Sequence, residues 1–435
     1  MRTTILMAAV LCAFAGGNAG AAETNAQRVR DELPQITAWR RDIHQHPELS
    51  NRELRTSKLV ADELKKLGYD VRTGIAHNGV TGILKGGKPG PKLAIRADMD
   101  ALPVTEQVDL PFASKVKGEY LGKQVGVMHA CGHDAHTAMT LGLAEIFAKL
   151  RGELPGELML IFQPAEEGAP LGEEGGAPLM VKEGVFKDFK PDAVFGMHVV
   201  SSLAVGTVGV RAGGAMASSD TFRIVVHGRQ SHGAMPWQGI DPIVTAAEIV
   251  TSAQTIVSRQ LDINKDPAVI TFGIFNAGQR FNIVPETAEL QGTLRAFDEG
   301  MRKQALASLR NIAEHVAAAN GATVDAEIPT AGSNPVNSND PALTARVHDS
   351  LEKAIGKDHV IEAPRWTASE DFPQLAMSVP APSVYFFVGA TPAGTDPATA
   401  PTNHSPKFFL DEGALDIGTR AMLQAGLDYL GYRGE

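Results

Sequence analysis

The spacing of apolar and polar residues divides the chain into alternating helices and strands. Residues 24–67 have helical spacing, and Ser50 with Glu53 predicts a capping box at a helix start. Helical patterns recur at 134–150 and 176–184, and strand-like runs occur at 69–75, 80–85, 92–98, 158–162 and 193–197. Strands that alternate with helices are typical of an α/β domain with a largely parallel sheet.

The order of predicted helices and strands changes after about residue 210. The pattern then predicts a strand, a helix, two strands, a helix and a strand, at 221–227, 241–261, 268–275, 287–297, 299–320 and 323–328. This βαββαβ order is that of a ferredoxin-like unit. The α/β pattern resumes near 340–355, 383–388 and 412–430. We therefore predict a catalytic domain in two parts, residues 23–209 and 332–435, with an inserted domain at residues 210–331.

The first 22 residues have the pattern of a signal peptide. Arg2 precedes the apolar run 5–14, and small residues continue to Ala22. The apolar run is too short for a membrane span, which needs about 20 residues. We expect residues 1–22 to be removed and the mature protein to be periplasmic or secreted, with no membrane association. Cys131 then remains as the single cysteine, so it cannot form an intrachain disulfide.

Composition excludes one class of partner. The 435 residues include 40 Lys and Arg against 50 Asp and Glu, which gives a formal net charge of −10. The chain has no long basic block, so we predict no nucleic-acid binding. Its length suggests about two to four domains, each with its own core.

Carboxylates and a histidine follow three of the predicted strands. Asp98 and Asp100 follow the strand at 92–97, Glu166 and Glu167 follow the strand at 158–162, and His198 follows the strand at 193–197. In open α/β sheets, ligands bind outside the carboxyl ends of the strands. We therefore expect these side chains to meet at one edge of the sheet.

Cys131 and His133 add two further candidate ligands. Two residues apart, they would point the same way in an extended segment, and a thiolate with an imidazole suits Zn²⁺. The alternative for this pair is a core cysteine beside a helix-capping histidine. Glu166 and Glu167 could form a solvated acidic patch, or one could bind metal while the other acts as general base. His404 lies in a polar loop, where functional residues are frequent.

Nine motifs in order give the chain a resemblance to a known family: RRDIHQHPELSNRE, RADMDALPVTE, MHACGHDAHTAM, FQPAEEG, GMHV, QSHGAMPWQGIDPI, FNIVPETAELQGTLRAF, SEDF and NHSPKF. From about residue 36 to 430 the chain resembles the aminoacylase/carboxypeptidase-type metallohydrolases. The subgroup contains hippurate hydrolases, N-acyl-L-amino-acid amidohydrolases and auxin-conjugate hydrolases. CGHD is the most specific motif, because a cysteine there replaces the bridging aspartate of the wider family.

The resemblance implies a metallopeptidase-like α/β domain with an inserted lid and dimerisation domain, and a homodimer or higher homo-oligomer. It implies two divalent metal ions, Zn²⁺ first and Mn²⁺, Co²⁺ or Ni²⁺ as alternatives, with the ligands Cys131, His133, Glu167, His198 and His404. Glu166 matches the general base, and Asp100 matches an aspartate that supports the metal site. Three residues of the inserted domain match substrate-binding positions: His232, Asn282 and Arg295.

The resemblance predicts a metal-dependent amidohydrolase that cleaves N-acyl amino acids. A carboxypeptidase or dipeptidase acting on short peptides is the first alternative. An exported, non-catalytic metal- or solute-binding protein is the second, and Glu166 beside Glu167 argues against it because a binder needs no base. Trp237 replaces a histidine of many subgroup members, and the stretch after Glu167 is longer than in shorter relatives. Both departures weaken the transfer of a particular acyl specificity.

Overall fold

A computed structural model describes residues 24–434. The predicted signal peptide at 1–22 therefore lies outside the described residues. The helices are α1 Asn25–Gln45, α2 Leu54–Lys66, α3 His133–Leu150, α4 Gly176–Lys182, α5 Pro242–Thr255, α6 Glu299–Ala319, α7 Pro341–Ile355, α8 Phe372–Met377 and α9 Gly413–Leu430. Each helix within residues 24–434 is too short or too polar to cross a membrane.

The strands of the first part of the chain are β1 Asp70–Ile75, β2 Gly79–Lys85, β3 Lys88–Asp98, β4 Lys117–Tyr120, β5 Lys123–Gly126, β6 Pro155–Gln163, β7 Ala193–Ala204, β8 Val208–Val210 and β9 Gly213–Met216. Those that follow are β10 Asp220–His227, β11 Ser231–His232, β12 Ala268–Ala277, β13 Ile283–Val284, β14 Thr287–Ala296, β15 Thr323–Glu327, β16 Asn337–Asn339, β17 Val360–Glu362 and β18 Ser383–Thr391.

The main sheet has the strand order β1-β2-β6-β3-β7-β18-β8-β17. Its central strands β6, β3, β7 and β18 run parallel, whereas β1 and β2 add an antiparallel edge. Alternate residues of β3 pack on opposite faces: Leu93 and Ile95 join one core cluster with α1, α3 and α9, and Ala94 joins another with α4 and α8. Helices therefore cover both faces, and the predicted α/β fold class is confirmed.

The second sheet lies in an inserted unit, residues 220–327. Its four strands are antiparallel in the order β12-β14-β10-β15, and α5 and α6 pack against them around a separate core. This strand order is that of a ferredoxin-like unit. After the insertion, β18 returns to the main sheet beside β7, so residues on both sides of the inserted unit build one sheet.

The predicted capping box at Ser50 and Glu53 is wrong. Helix α2 begins at Leu54, and the Glu53 side chain makes no cap hydrogen bond to it. Ser50 Oγ instead donates to Asp100 Oδ2 at 2.8 Å, and the Glu53 carboxylate accepts the N–H of Ala165 at 2.9 Å. These contacts between distant segments take both side chains away from the helix end.

The predicted end of the strand before His198 is also wrong. Strand β7 continues to Ala204, so His198 lies inside the strand and not after it. The continuation is stabilised by parallel pairing with β18, in which Phe387 is opposite His198. Local apolar patterning could not predict this pairing, because β18 lies almost 190 residues further along the chain.

Candidate metal centre

Segments from both sides of the inserted unit bring the predicted ligands together. Glu166 and Glu167 follow β6, His198 lies in β7, and His404 lies in the loop that precedes α9. These side chains and Cys131 line one cavity of about 550 Å³, here named the site cavity. The side chains therefore meet at one cavity as expected, but His198 reaches it from within β7 and not from the end of a strand.

Cys131 and His133 converge for a different reason from the one expected. The segment is not extended: Gly132 has φ 94°, and His133 is the first residue of α3. A side chain at residue 132 would meet Val199 at 2.3 Å, so glycine is required both for the turn and for the close approach. The turn directs Cys131 Sγ and a His133 ring nitrogen toward His198, with all three donor atoms within 4.8 Å of one another.

The donor atoms have the spacing of ligands around a metal ion. Cys131 Sγ lies 3.3 Å from His198 Nε2 and 3.3 Å from His404 Nε2. His404 Nε2 is 3.1 Å from Glu167 Oε1. Metal–nitrogen bonds of about 2.1 Å in a tetrahedral site place neighbouring ligands about 3.4 Å apart. The cluster therefore fits a cation of this kind without large movement of its side chains.

Two buried atoms of the cluster make no hydrogen bond within the described chain. They are His133 Nε2 and Glu167 Oε1, which lie 3.9 Å apart; within the described chain Glu167 Oε1 is also approached to 3.1 Å by His404 Nε2, itself a candidate ligand. A buried polar atom without a partner costs about 1–3 kcal/mol, so such atoms are rare unless a ligand satisfies them. Their separation of 3.9 Å is one that a shared cation with metal–ligand bonds of about 2.1 Å would span.

Hydrogen bonds to the opposite ring nitrogens orient two of the histidines. His198 Nδ1 lies 2.7 Å from the carbonyl oxygen of Val199, and His133 Nδ1 lies 2.9 Å from the carbonyl oxygen of Asp100. Because Nδ1 can donate to these carbonyl oxygens, each ring in its neutral form would present the lone pair of Nε2 to a metal ion in the cluster. This arrangement is typical of metal-binding histidines.

His136 serves another purpose although it is close to the cluster. Its Nδ1 lies 2.6 Å from Asp98 Oδ1, and its Nε2 accepts the N–H of Val199 at 2.9 Å. Both ring nitrogens are therefore engaged, and His136 joins α3 to β3 and β7 beneath the ligands.

Asp100 holds the backbone of the two glutamates. Its Oδ1 accepts the N–H of Glu166 at 3.0 Å, and its Oδ2 accepts the N–H of Glu167 at 3.1 Å. Burial acts to raise the pKa of Asp100, but the contacts with His133 and Ser50 outweigh it and lower that pKa. Asp100 therefore stays ionised and fixes the direction in which both glutamates enter the site.

Glu53 and Asn403 also fasten segments of the site, and the sequence analysis assigned them no role there. The Glu53 carboxylate accepts the N–H groups of Asn51 and Ala165. Asn403 Nδ2 donates to the carbonyl oxygens of Cys131 and Val199 at 3.1 and 3.0 Å. The sequence did give one signal for Asn403: it is a polar residue immediately before the predicted ligand His404.

A buried ion cluster lies beneath the carboxylates, and the sequence analysis missed it. Arg96, fully buried in β3, contacts Asp98 at 2.7 Å, Glu370 at 2.8 Å and Asp371 at 3.0 Å. Tyr385 Oη donates to Glu370 at 2.6 Å. The available signal was Arg96 itself, a charged residue within an apolar strand, where burial requires a partner.

The site is strongly acidic. Burial, followed by the charges of Glu370 and Glu167, raises the pKa of Glu166 well above its usual range. Burial and then the charge of Glu167 likewise raise the pKa of the Cys131 thiol. Burial acts to lower the pKa of His133, but Asp98 and Asp100 outweigh it and raise that pKa to about 10. Neighbouring carboxylates add to the first two shifts and cause the third, and a bound cation would offset this negative charge.

The three predicted substrate residues of the inserted unit lie apart from the ligands and do not line the site cavity. His232 is exposed on β11, which pairs with β13, so it neighbours Asn282, whose buried Oδ1 accepts no hydrogen bond within residues 24–434. Arg295 lies on β14, and its guanidinium donates to the neutral oxygens of Thr293 and Leu294. The structure thus brings the metal-site residues together but not these three.

The family comparison matches most of the chain. The profile of peptidase family M20/M25/M40 covers residues 94–427. The chain is 40% identical over 400 residues to thermostable carboxypeptidase 1 of Saccharolobus solfataricus, covering 91% of this chain and 96% of the relative. It is 36% identical over 393 residues to N-acetyl-L-cysteine deacetylase of Bacillus subtilis, covering 90% of this chain and 88% of the relative.

A solved structure extends the similarity to the fold. The YXEP protein of Bacillus subtilis, described as a dinuclear metal binding peptidase from the M20 family, superposes with a TM-score of 0.73 and 32% identity, covering 93% of this chain and 100% of the other. The predicted family and the predicted enzyme class, a hydrolase of amide bonds, are confirmed. The chain belongs to peptidase family M20/M25/M40.

Proposed function

We propose that the protein hydrolyses the amide bond of N-acyl amino acids with two divalent metal ions and Glu166 as general base. The observation that carries this proposal is the division between two adjacent carboxylates. Both carboxylates line the site cavity and lie 3.8–3.9 Å from His133 Nε2, but Glu167 Oε1 is in addition 3.1 Å from His404 Nε2 and groups with Cys131 and His404. This difference supports Glu167 as the metal ligand and Glu166 as the group that transfers the proton.

Five residues would hold the metal pair: Cys131, His133, Glu167, His198 and His404. We favour Zn²⁺ over Mn²⁺, Co²⁺ and Ni²⁺ because the set combines a thiolate with imidazoles and a carboxylate. When bound, such ions lower the pKa of water to near neutrality and polarise a carbonyl oxygen.

Glu166 takes up a proton from the attacking water and passes it to the amide nitrogen as the C–N bond breaks. Glu166 lines the site cavity beside Glu167 and His404, so its carboxylate can reach both the water and the amide nitrogen of a bound substrate. Asp100 contributes indirectly, since its carboxylate fixes the backbone N–H of Glu166.

The inserted unit would bind the amino-acid end of the substrate. Arg295 carries a guanidinium whose hydrogen bonds within the described chain go to neutral oxygens, so its charge is available for the substrate carboxylate. His232 and Asn282 would contact the substrate from their shared ribbon. All three lie outside the site cavity, so this role requires closure of the inserted unit or contribution from a second protomer.

We propose a homodimer formed through the inserted unit. Strand β12 is an edge strand of its sheet, and it exposes Val269, Ile274 and Phe275, while α5 beside it exposes Ile243 and Val244. Edge strands with exposed apolar side chains pair readily with another chain. A two-fold axis at β12 would extend the sheet across both protomers.

A carboxypeptidase acting on short peptides is the second candidate, because the relative from Saccharolobus solfataricus carries that name. The same residues would catalyse this reaction, since both substrates present an amide bond next to an amino acid with a free carboxylate. The two functions differ in the substrate group on the acyl side of the bond, which is a simple acyl group in one case and an amino acid with a free amine in the other.

A substrate panel tests the proposal. The metal-loaded protein is assayed on N-acetyl and N-benzoyl amino acids and on free dipeptides with the same carboxyl-terminal residue, with Glu166→Gln as the inactive control. We expect the N-acyl substrates to have at least tenfold higher kcat/KM than the dipeptides, and Glu166→Gln to retain metal but lose about 10²–10⁴-fold in rate. Preference for dipeptides, or full activity of Glu166→Gln, would contradict the proposal.

We also propose export to the periplasm or the medium. The charged start at Arg2, the apolar run 5–14 and the small residues up to Ala22 support it. Determination of the amino-terminal residue of the protein recovered from its native host would test the expected cleavage after residue 22.

A further inference from the structure

A second pocket opens beside the metal ligands. It has a volume of about 190 Å³ and is lined by Glu167 and Gly168 together with Leu102, Tyr120, Leu121 and Leu171. Here it is named the side pocket. It shares Glu167 and Gly168 with the site cavity, so the two spaces meet at a ligand of the metal centre.

One wall of the side pocket is the hairpin formed by β4 and β5. Its two-residue turn has φ 49° at Leu121 and φ 73° at Gly122. Asparagine, aspartate or glycine usually occupies the first of these positions, because a larger side chain is strained at positive φ. Leu121 is nevertheless apolar, 65% exposed and directed at the pocket. Neither local conformation nor core packing accounts for a leucine at this turn.

The other wall is the 168–175 loop, which follows Glu167. Leu171 lies on it with 90% of its surface exposed. Arg52 anchors the far end of the loop by contacts with Glu173 at 2.5 and 3.0 Å, and Asn51 adds a further hydrogen bond to Glu173 at 3.0 Å. The anchored loop thus holds an exposed leucine across the pocket from the hairpin.

The charges of the side pocket select a neutral group. Arg52 lines it but is paired with Glu173, and the remaining charged residues are Glu119 and Glu167. Because Glu167 would be bound to metal, Glu119 is the charge that would repel a free carboxylate there, whereas an apolar group would cover Leu121 and Leu171. An apolar cavity of about 150 Å³ can hold a benzene ring, so the side pocket has the capacity for one ring or a short branched chain.

The position of the site cavity indicates which half of the substrate it holds and which half lies in the side pocket. That cavity is lined by Met216 and Asn334, which lie just before and just after the inserted unit in the chain, and by polar residues such as Ser201. The amino-acid half, with its carboxylate directed to Arg295, therefore belongs on that side. The acyl half then extends past Glu167 into the side pocket.

We propose that the side pocket is the acyl-binding site and that Leu121 and Leu171 make the enzyme prefer substrates with an aromatic or branched apolar acyl group over acetyl. The proposal rests on the function proposed above and deepens it by naming the acyl class and the residues that select it.

The experiment compares N-benzoyl-L-alanine with N-acetyl-L-alanine, which differ only in the acyl group. The variants are Leu121→Asn, which suits the positive φ, and Leu171→Ser, which alters no buried contact because the side chain is exposed. Leu54→Ser is the matched control, since Leu54 is 70% exposed but does not line the side pocket. Circular dichroism and metal content verify that each variant is folded and loaded.

We expect the wild-type enzyme to favour the benzoyl substrate, and each pocket variant to lower the benzoyl-to-acetyl ratio of kcat/KM by about five- to tenfold. The control should leave the ratio unchanged. A ratio that stays within twofold in both variants would overturn the acyl assignment, as would a change in preference for the amino acid in place of the acyl group. If the wild-type enzyme cleaves neither substrate but does cleave dipeptides, the proposed function itself fails, which is a different result.

Discussion

The carboxylate of Glu53 accepts the backbone N–H of Ala165 at 2.9 Å, one residue before Glu166. Ala165 has φ 52°, a left-handed conformation that costs a non-glycine residue about 1–3 kcal/mol. Glu53 also accepts hydrogen bonds from Asn51 and Asn78, so it is itself held in place. The strained turn that carries Glu166 into the site thus depends on a carboxylate more than 100 residues away in sequence.

Replacement of Glu53 by alanine should therefore damage catalysis without removing metal. We expect Glu53→Ala to lower kcat about 10- to 100-fold and the free energy of unfolding by about 2 kcal/mol, since buried N–H groups lose their acceptor. Steady-state kinetics, metal analysis and urea denaturation measure these effects. Glu314→Ala, on the exposed face of α6, is the control. A kcat within twofold of wild type would show that the turn at Ala165 keeps its conformation without the hydrogen bond to Glu53.

Glu53 should also make stability depend on pH. Burial and the charge of Asp100 raise its pKa from 4.5 to about 7, so the folded protein binds this proton more tightly than the unfolded chain. Its stabilising contribution is therefore complete below pH 4.5 and is lost as the pH rises to 7. The difference in unfolding free energy between wild type and Glu53→Gln should fall over this interval and stay constant above it. Denaturation at pH 4.5, 5.5, 6.5 and 8 tests this, and a flat difference would contradict the raised pKa.

Loss of the thiolate should cost both metal and stability. We expect Cys131→Ala to bind less than half the metal of the wild-type protein, because Cys131 Sγ lies 3.3 Å from both His198 Nε2 and His404 Nε2. Removal of metal from the wild-type protein by a chelator should lower Tm by several degrees, since carboxylates would remain without a cation. Elemental analysis and calorimetry provide the readouts. Unchanged metal content in Cys131→Ala would exclude it as a ligand.

Arg295 should act on substrate binding through its charge. We expect Arg295→Ala to raise KM at least tenfold for N-acyl amino acids with a free carboxylate. The corresponding carboxamides, which lack the negative charge, should be poor substrates of the wild-type enzyme, and their KM should change little in the variant. The reason is that a guanidinium and a carboxylate form paired, charge-assisted hydrogen bonds. Equal effects on the two substrate forms would show that Arg295 has only a structural role on β14.

The exposed edge of the inserted unit should control assembly. Phe275, which is 44% exposed on β12, is one of the apolar side chains of the proposed dimer contact. We expect Phe275→Lys to shift the protein from dimer to monomer in light scattering at micromolar concentration. Met377→Lys, at a residue that is 58% exposed elsewhere, should remain dimeric. A dimeric Phe275→Lys protein would place the interface elsewhere.

The elements closest to the site show what local sequence can predict. The apolar runs of β3 and β6 identified the strands whose ends carry Asp100, Glu166 and Glu167, because a buried strand has a simple hydrophobic pattern. The same reasoning failed at Ser50 and Glu53. Their spacing matches a capping box, but Asp100 and Ala165 lie close enough to compete for both side chains.

The sequence by itself determined the α/β class, the interrupted order of elements, the family and the residue types of a metal site, since these depend on periodicity and motifs read along the chain. Tertiary structure decided how those residues act. The turn at Gly132, the Arg96 cluster, the hold of Glu53 on Ala165 and the side pocket next to Glu167 all join segments distant in sequence. The energy of such contacts depends on distance and burial in three dimensions, which no local pattern specifies.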